Sequence, residues 1–288
     1  MSFSWAHPHF SPAPVLVALA LLAWYLEATR RCEPPATRQQ KRAFYLGLLA
    51  LLTATSWPLA ELAHTTSLLI LVLQRELLIL AVAPLLLFAL PPEVGIRLTQ
   101  PRAIDWMVVR LSEPALAVMV TTALLTVTAM PFSVSAASQH SWIRWLVEIG
   151  TLAAGFVLWN PVIRRVPGVR QLTPIGTAGY LLAQSVAMSF LSFAWILAPH
   201  LLYPSLQGQR AALGVSPLLD QRLSGWVAKL GTFGVLWPVA YRCFSRSIES
   251  GVPEAATLQW RDVERQLERI QRQERKPKNR QLAPPFRQ

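Results

Sequence analysis

Three consecutive polar side chains, Gln74, Arg75 and Glu76, interrupt an otherwise apolar run at residues 66–90. A run of that length can cross a bilayer as one helix, which needs about 20 residues. At a rise of about 1.5 Å per residue, Arg75 lies roughly 14 Å from the start of the run, near the midplane. Ionisable groups at that depth are costly and face a bundle interior or a wet cavity. A second apolar run, 142–162, carries Arg144 and Glu148. These five residues form an expected intramembrane polar cluster. Two readings follow from it: the charges pair across helices for packing alone, or they line a site.

Histidine is the other chemistry on offer, because imidazole is the usual nitrogen ligand for copper, zinc and iron. The five histidines are His7, His9, His64, His140 and His200. No two stand four residues apart on one predicted helix, so the pattern is equally that of interfacial or solvated side chains. The two cysteines, Cys32 and Cys243, form no CxxC or Cys/His cluster, which argues against a thiolate metal site or a disulfide framework. Near the last apolar run, Asp220 and Gln221 follow Tyr203, and with His200 they are expected to share a vestibule on one face. Asp220 is also placed to cap the helix that follows it.

The elements that must hold these residues are transmembrane helices. The chain is 53% hydrophobic and only 15% charged over 288 residues, a composition typical of an integral membrane protein. Seven apolar segments can be read, at 13–29, 44–62, 66–90, 115–135, 142–162, 176–202 and 222–244. Positive charges follow the first segment, as Arg30 and Arg31, where a signal peptide would carry them before it. That segment is therefore expected to be an uncleaved span. Arg38, Lys41 and Arg42 lie in the first connection, Arg97, Arg102 and Arg110 in the third, and Arg164, Arg165 and Arg170 in the fifth. Only Arg210 and Arg222 lie in connections on the opposite side. Because cytoplasmic loops carry the Lys/Arg excess, the fold expected is an all-α seven-helix bundle with its N-terminus outside and its C-terminus cytoplasmic. All five histidines then fall on the outer face. The net charge of +12 is explained by topology and by attraction to the anionic inner leaflet rather than by nucleic acid.

Three regions are expected: an outer segment 1–12, a membrane domain 13–248, and a basic cytoplasmic tail 249–288. Within the tail, residues 258–276 read as a charged helix with an apolar stripe at Val263, Leu267 and Ile270. Pro284 and Pro285 mark an expected disordered end.

The order and spacing of several short pieces carry a family resemblance over residues 5–245. They are Trp5-Ala-His7-Pro8-His9, Arg30-Arg31, Ala43-Phe44-Tyr-Leu-Gly47, Ser56-Trp-Pro58-Leu59, Gln74-Arg-Glu76-Leu77-Leu78 with Ala83-Pro84-Leu85-Leu86, Trp159 with Pro161, and Ser216-Pro-Leu-Leu-Asp220-Gln221. Together they resemble the CtaG-like family of multi-span cytochrome c oxidase assembly factors (caa-type oxidase). The resemblance implies a membrane scaffold, oxidase subunits or other assembly factors as partners, and copper as a possible cargo. It also implies histidine pairs on the third and fifth helices. This chain has Leu71, Val72 and Arg75 at the first of these places and, nearest the second, Arg144 and Glu148. On this comparison Arg75 and Glu148 replace the metal site with an ion pair, from depths of roughly 14 and 9 Å. Glu76 points about 100° away around its helix.

Two other classes compete. A retinal-type protein would use Lys229 in the seventh segment, but that lysine is near enough to the helix end to snorkel. A small transporter or intramembrane enzyme would need broken repeats or paired catalytic groups, and the segments show neither. No catalytic residue is assigned.

Overall fold

The computed structural model describes residues 12–33, 35–65, 67–163, 172–204, 206 and 215–251. Its elements are α1 (Ala13–Arg30), α2 (Arg38–Thr55), α3 (Leu59–Thr65), α4 (Leu68–Glu76), a π-helical turn (Leu77–Val82), α5 (Ala83–Ala89), α6 (Pro92–Leu98), α7 (Arg102–Leu111), α8 (Pro114–Ala129), α9 (Pro131–Gln139), α10 (Ser141–Ile163), α11 (Pro174–Leu197) and α12 (Pro217–Gly251). No strand occurs among the described residues.

Proline sets many of the boundaries. Pro92, Pro114, Pro131 and Pro174 each open a helix, where a missing N–H removes nothing the helix would use. Thr37 and Gln40 form a reciprocal capping box at the start of α2, satisfying two free donors at once. Helices α7 and α8 meet at 93° across Ser112 and Glu113. No residue of α7 is buried, and Trp106 and Met107 are exposed beside Arg102 and Arg110.

Among the described residues, four helices are long and apolar enough to cross a membrane: 13–30, 68–89, 141–163 and 174–197, with α7–α8 a fifth if that bent pair is one span. Helices α2 and α12 are long enough but less apolar or more charged. The predicted segment 44–62 is in fact broken at residues 56–58, between α2 and α3. The segment 115–135 stops at Ala129, because Pro131 begins α9. The connection after Leu90 contains α6 and α7, and α12 extends at both ends beyond the predicted 222–244. The helix expected over 258–276 lies outside the described residues.

Connections gather at two ends. At one, α3 meets α9, Arg144 at the start of α10 reaches Glu61 on α3, and the Tyr203 hydroxyl donates to the Ala129 carbonyl at 2.6 Å. At the other, Arg97 donates to the Arg31 carbonyl at 3.1 Å, and Asn160 donates to the Ser112 hydroxyl at 2.6 Å. Helices α11 and α12 form a tight antiparallel pair. A Cβ at Gly225 would sit 2.6 Å from Ile196 Cγ1 and 2.7 Å from the Ser192 carbonyl, so only glycine allows this approach. Small residues at helix contacts are the usual means of packing where lipid removes the hydrophobic drive.

Candidate functional site

Gln74, Arg75 and Glu76 occupy the last turn of α4, and helical geometry turns each about 100° from the next. The triplet therefore reaches in three directions. The Gln74 amide donates to the Ala54 carbonyl of α2 at 2.8 Å and to Glu148 Oε1 of α10 at 3.0 Å. Arg75 Nη2 donates to the Leu125 carbonyl at 2.9 Å and to Thr128 Oγ1 at 2.7 Å, both on α8. Glu76 takes a hydrogen bond from Thr232 on α12 and lies so close to Gly231 that a Cβ there would come 2.8 Å from Glu76 Oε2. One turn of α4 thus ties together α2, α8, α10 and α12.

These contacts correct the expected pairing. Arg75 and Glu148 are not partners: Arg75 is spent on α8, and Gln74 takes Glu148. Glu148 also stands 3.6 Å from His64 Nε2, with both side chains buried. Neither ring nitrogen of His64 has a hydrogen-bond partner among the described residues. Arg144 pairs instead with Glu61 on α3 at 3.3 Å. The five residues do not form a single cluster: they divide into a Gln74–Glu148–His64 group, a half-buried Arg144–Glu61 pair and the separate arms of Arg75 and Glu76.

A π-helical turn follows the triplet directly. The Ala83 amide bonds the Leu78 carbonyl, and the next residue, Pro84, has no N–H to offer. The Ile79 carbonyl would be orphaned, and the Trp159 indole fills the gap from α10 at 2.9 Å. Gly155 makes room for it, since a Cβ there would meet Ala83 Cβ at 2.7 Å. π-turns inside α-helices concentrate at functional sites.

Asp220 caps a helix, although not its own. It lies within the first turn of α12 and accepts from the Leu68 amide at 2.8 Å and the Ser67 hydroxyl at 2.5 Å. It thereby closes the N-terminus of α4 from across the bundle. Gln221 accepts from the Leu202 amide at 2.8 Å and donates to the Trp195 and His200 carbonyls. Tyr203 accepts from the Trp195 indole at 2.9 Å, and burial pushes its phenol above the ordinary range. The described bonds of Gln221 and Tyr203 tie residues 198–204 to α8, α11 and α12. Lys229 donates to the Ser189 hydroxyl, with the Phe193 and Phe233 rings 5.3 and 5.0 Å away.

The three described histidines, His64, His140 and His200, do not converge. His140 is exposed, with its ring 6.5 Å from Trp142, and His200 is also exposed. His7 and His9 lie outside the described residues. Among the described residues no three His, Cys, Asp or Glu side chains come together to hold a metal ion. Glu61, Thr128, Thr232 and Trp159 were missed by sequence reasoning. Pro84 was the available signal for Trp159, because a proline within a span leaves a carbonyl needing a donor.

A cavity of about 440 Å³ lies between α4, α8, α11 and α12. Arg75, Glu76 and Tyr203 are the ionisable groups in its wall.

No curated protein and no solved structure matches the chain. The helices long and apolar enough to span a bilayer agree with a family model that matches residues 19–250, that of the cytochrome c oxidase caa3 assembly factor. The chain belongs to the family of cytochrome c oxidase caa3 assembly factors.

Proposed function

We propose that this chain crosses the plasma membrane of a bacterial cell seven times, N-terminus outside, and acts as a scaffold that holds an oxidase subunit during assembly. The seven passes are α1, α2, α4 with α5, α8, α10, α11 and α12. Support comes from the alternation of the connections between two ends and from the Lys/Arg excess in the connections at one of them. The anionic inner leaflet is the lipid partner at that end.

The observation that carries the scaffold reading is the use made of the positions where the resemblance implies histidines. Leu71 is buried in the core, Arg75 is bonded to α8, Arg144 to Glu61, and Glu148 to Gln74. All four serve to bind helices to one another. Copper delivery is the second reading. What favours it is His64, a buried imidazole beside Glu148 with both nitrogens unpartnered among the described residues.

Deleting the gene and recording the visible spectrum of the membranes tests the assignment to oxidase assembly. Loss of the assembled oxidase, with its subunits still synthesised, is the expected result. A tagged copy of the chain should then retain an oxidase subunit after mild cross-linking. An unchanged oxidase spectrum contradicts the proposal.

A further inference from the structure

The cavity beside the polar triplet is walled mainly by apolar side chains, among them Leu125, Leu191 and Trp195. Three buried polar atoms on its lining residues have no hydrogen-bond partner among the described residues: Arg75 Nη1, Glu76 Oε2 and Thr122 Oγ1. Arg75 is only 6% exposed. Leaving such atoms dry is expensive. Water alone is a poor occupant: at about 30 Å³ each, on the order of fifteen waters would fill the space, and the lining offers few polar partners for them. Cavities with walls this apolar stay dry or take apolar ligands, and this volume falls in the range of small-molecule sites.

We propose that the cavity binds a hydroxyl-headed lipid, an aliphatic chain ending in an alcohol. The head must accept from Arg75 Nη1 and donate to Glu76 Oε2, and one hydroxyl does both. An ammonium head would face Arg75, and an ether or ester oxygen brings Glu76 Oε2 no donor. The chain lies along α8 and α11. The lining runs out to Met130 and Phe190, which are 40% and 72% exposed, so the mouth opens sideways between α8 and α11. In a bilayer that side faces acyl chains, which gives a lipid direct access.

The test is native mass spectrometry of the full chain released from nanodiscs. 1-Dodecanol and dodecyl methyl ether are offered at equal concentration. One equivalent of the alcohol should be retained at least about tenfold more than the ether, a difference of about 1.4 kcal/mol. Ala187→Trp, at the half-buried cavity wall, should abolish retention. Equal retention of the ether by the unmodified protein overturns the proposal, and so does alcohol binding that Ala187→Trp leaves unchanged. The wild-type comparison stands even if a variant fails to fold.

Discussion

The Gln74 amide lies 3.0 Å from Glu148 and donates to it, and this bond leaves Arg75 to a different helix. A charge swap between Arg75 and Glu148 should therefore rescue nothing. In a double-mutant cycle, Gln74 and Glu148 should show a coupling of about 1–2 kcal/mol. Arg75 and Glu148 should show a coupling near zero. SDS-titrated unfolding in mixed micelles measures both, and a larger Arg75–Glu148 coupling would count against the assignment.

Asp220 joins the start of α12 to the start of α4. Asp220→Ala should cost about 1–2 kcal/mol, the range for a lost N-cap. Asp220→Asn, which keeps an acceptor, should cost less than half of that. The same unfolding assay reads the difference, and equal losses would mean that the charge rather than the cap matters.

Trp159 supplies the donor that Pro84 cannot. Trp159→Phe should destabilise by about 1–3 kcal/mol, because the Ile79 carbonyl is then buried without a partner. Adding Pro84→Ala to that variant returns a backbone N–H to the turn and should recover part of the loss. If Pro84→Ala gives the same change with or without Trp159, the indole is packing only.

Cys32 follows α1 and is buried against the Ala28 carbonyl. Burial first, and then the neighbouring Glu93 carboxylate, push its thiol above the ordinary range. Because the thiolate is the reactive form, maleimide should label half-buried Cys243 faster than Cys32. The Cys32 rate should keep rising with pH past the point where an ordinary thiol levels off. Peptide mass spectrometry after timed labelling checks this, and faster labelling of Cys32 would contradict it.

The long apolar helices were legible because their signal is composition over 18 or more residues. The family was legible from the order of its short pieces, and Gln74, Arg75 and Glu76 stood out as charges where none should be cheap. Partner choice was not legible. Which helix faces Arg75 depends on how α8 is rotated and on where Ala129 ends it, and both follow from packing. The break between α2 and α3 hid in a run that stays apolar through Leu59 and Leu62. The cross-bundle cap by Asp220 looked local, because sequence shows only the nearest helix start.

The scaffold reading is tested most directly by the histidines. In a strain lacking the chain, a copy carrying His7→Ala, His9→Ala, His64→Gln, His140→Ala and His200→Ala should restore the visible spectrum of the membrane oxidase to the level the unmodified chain gives. Immunoblotting must show equal amounts of both proteins in the membrane. Full restoration is the predicted result. A variant present at the normal level that leaves the oxidase as deficient as the deletion does would contradict the scaffold account and place metal handling at these side chains.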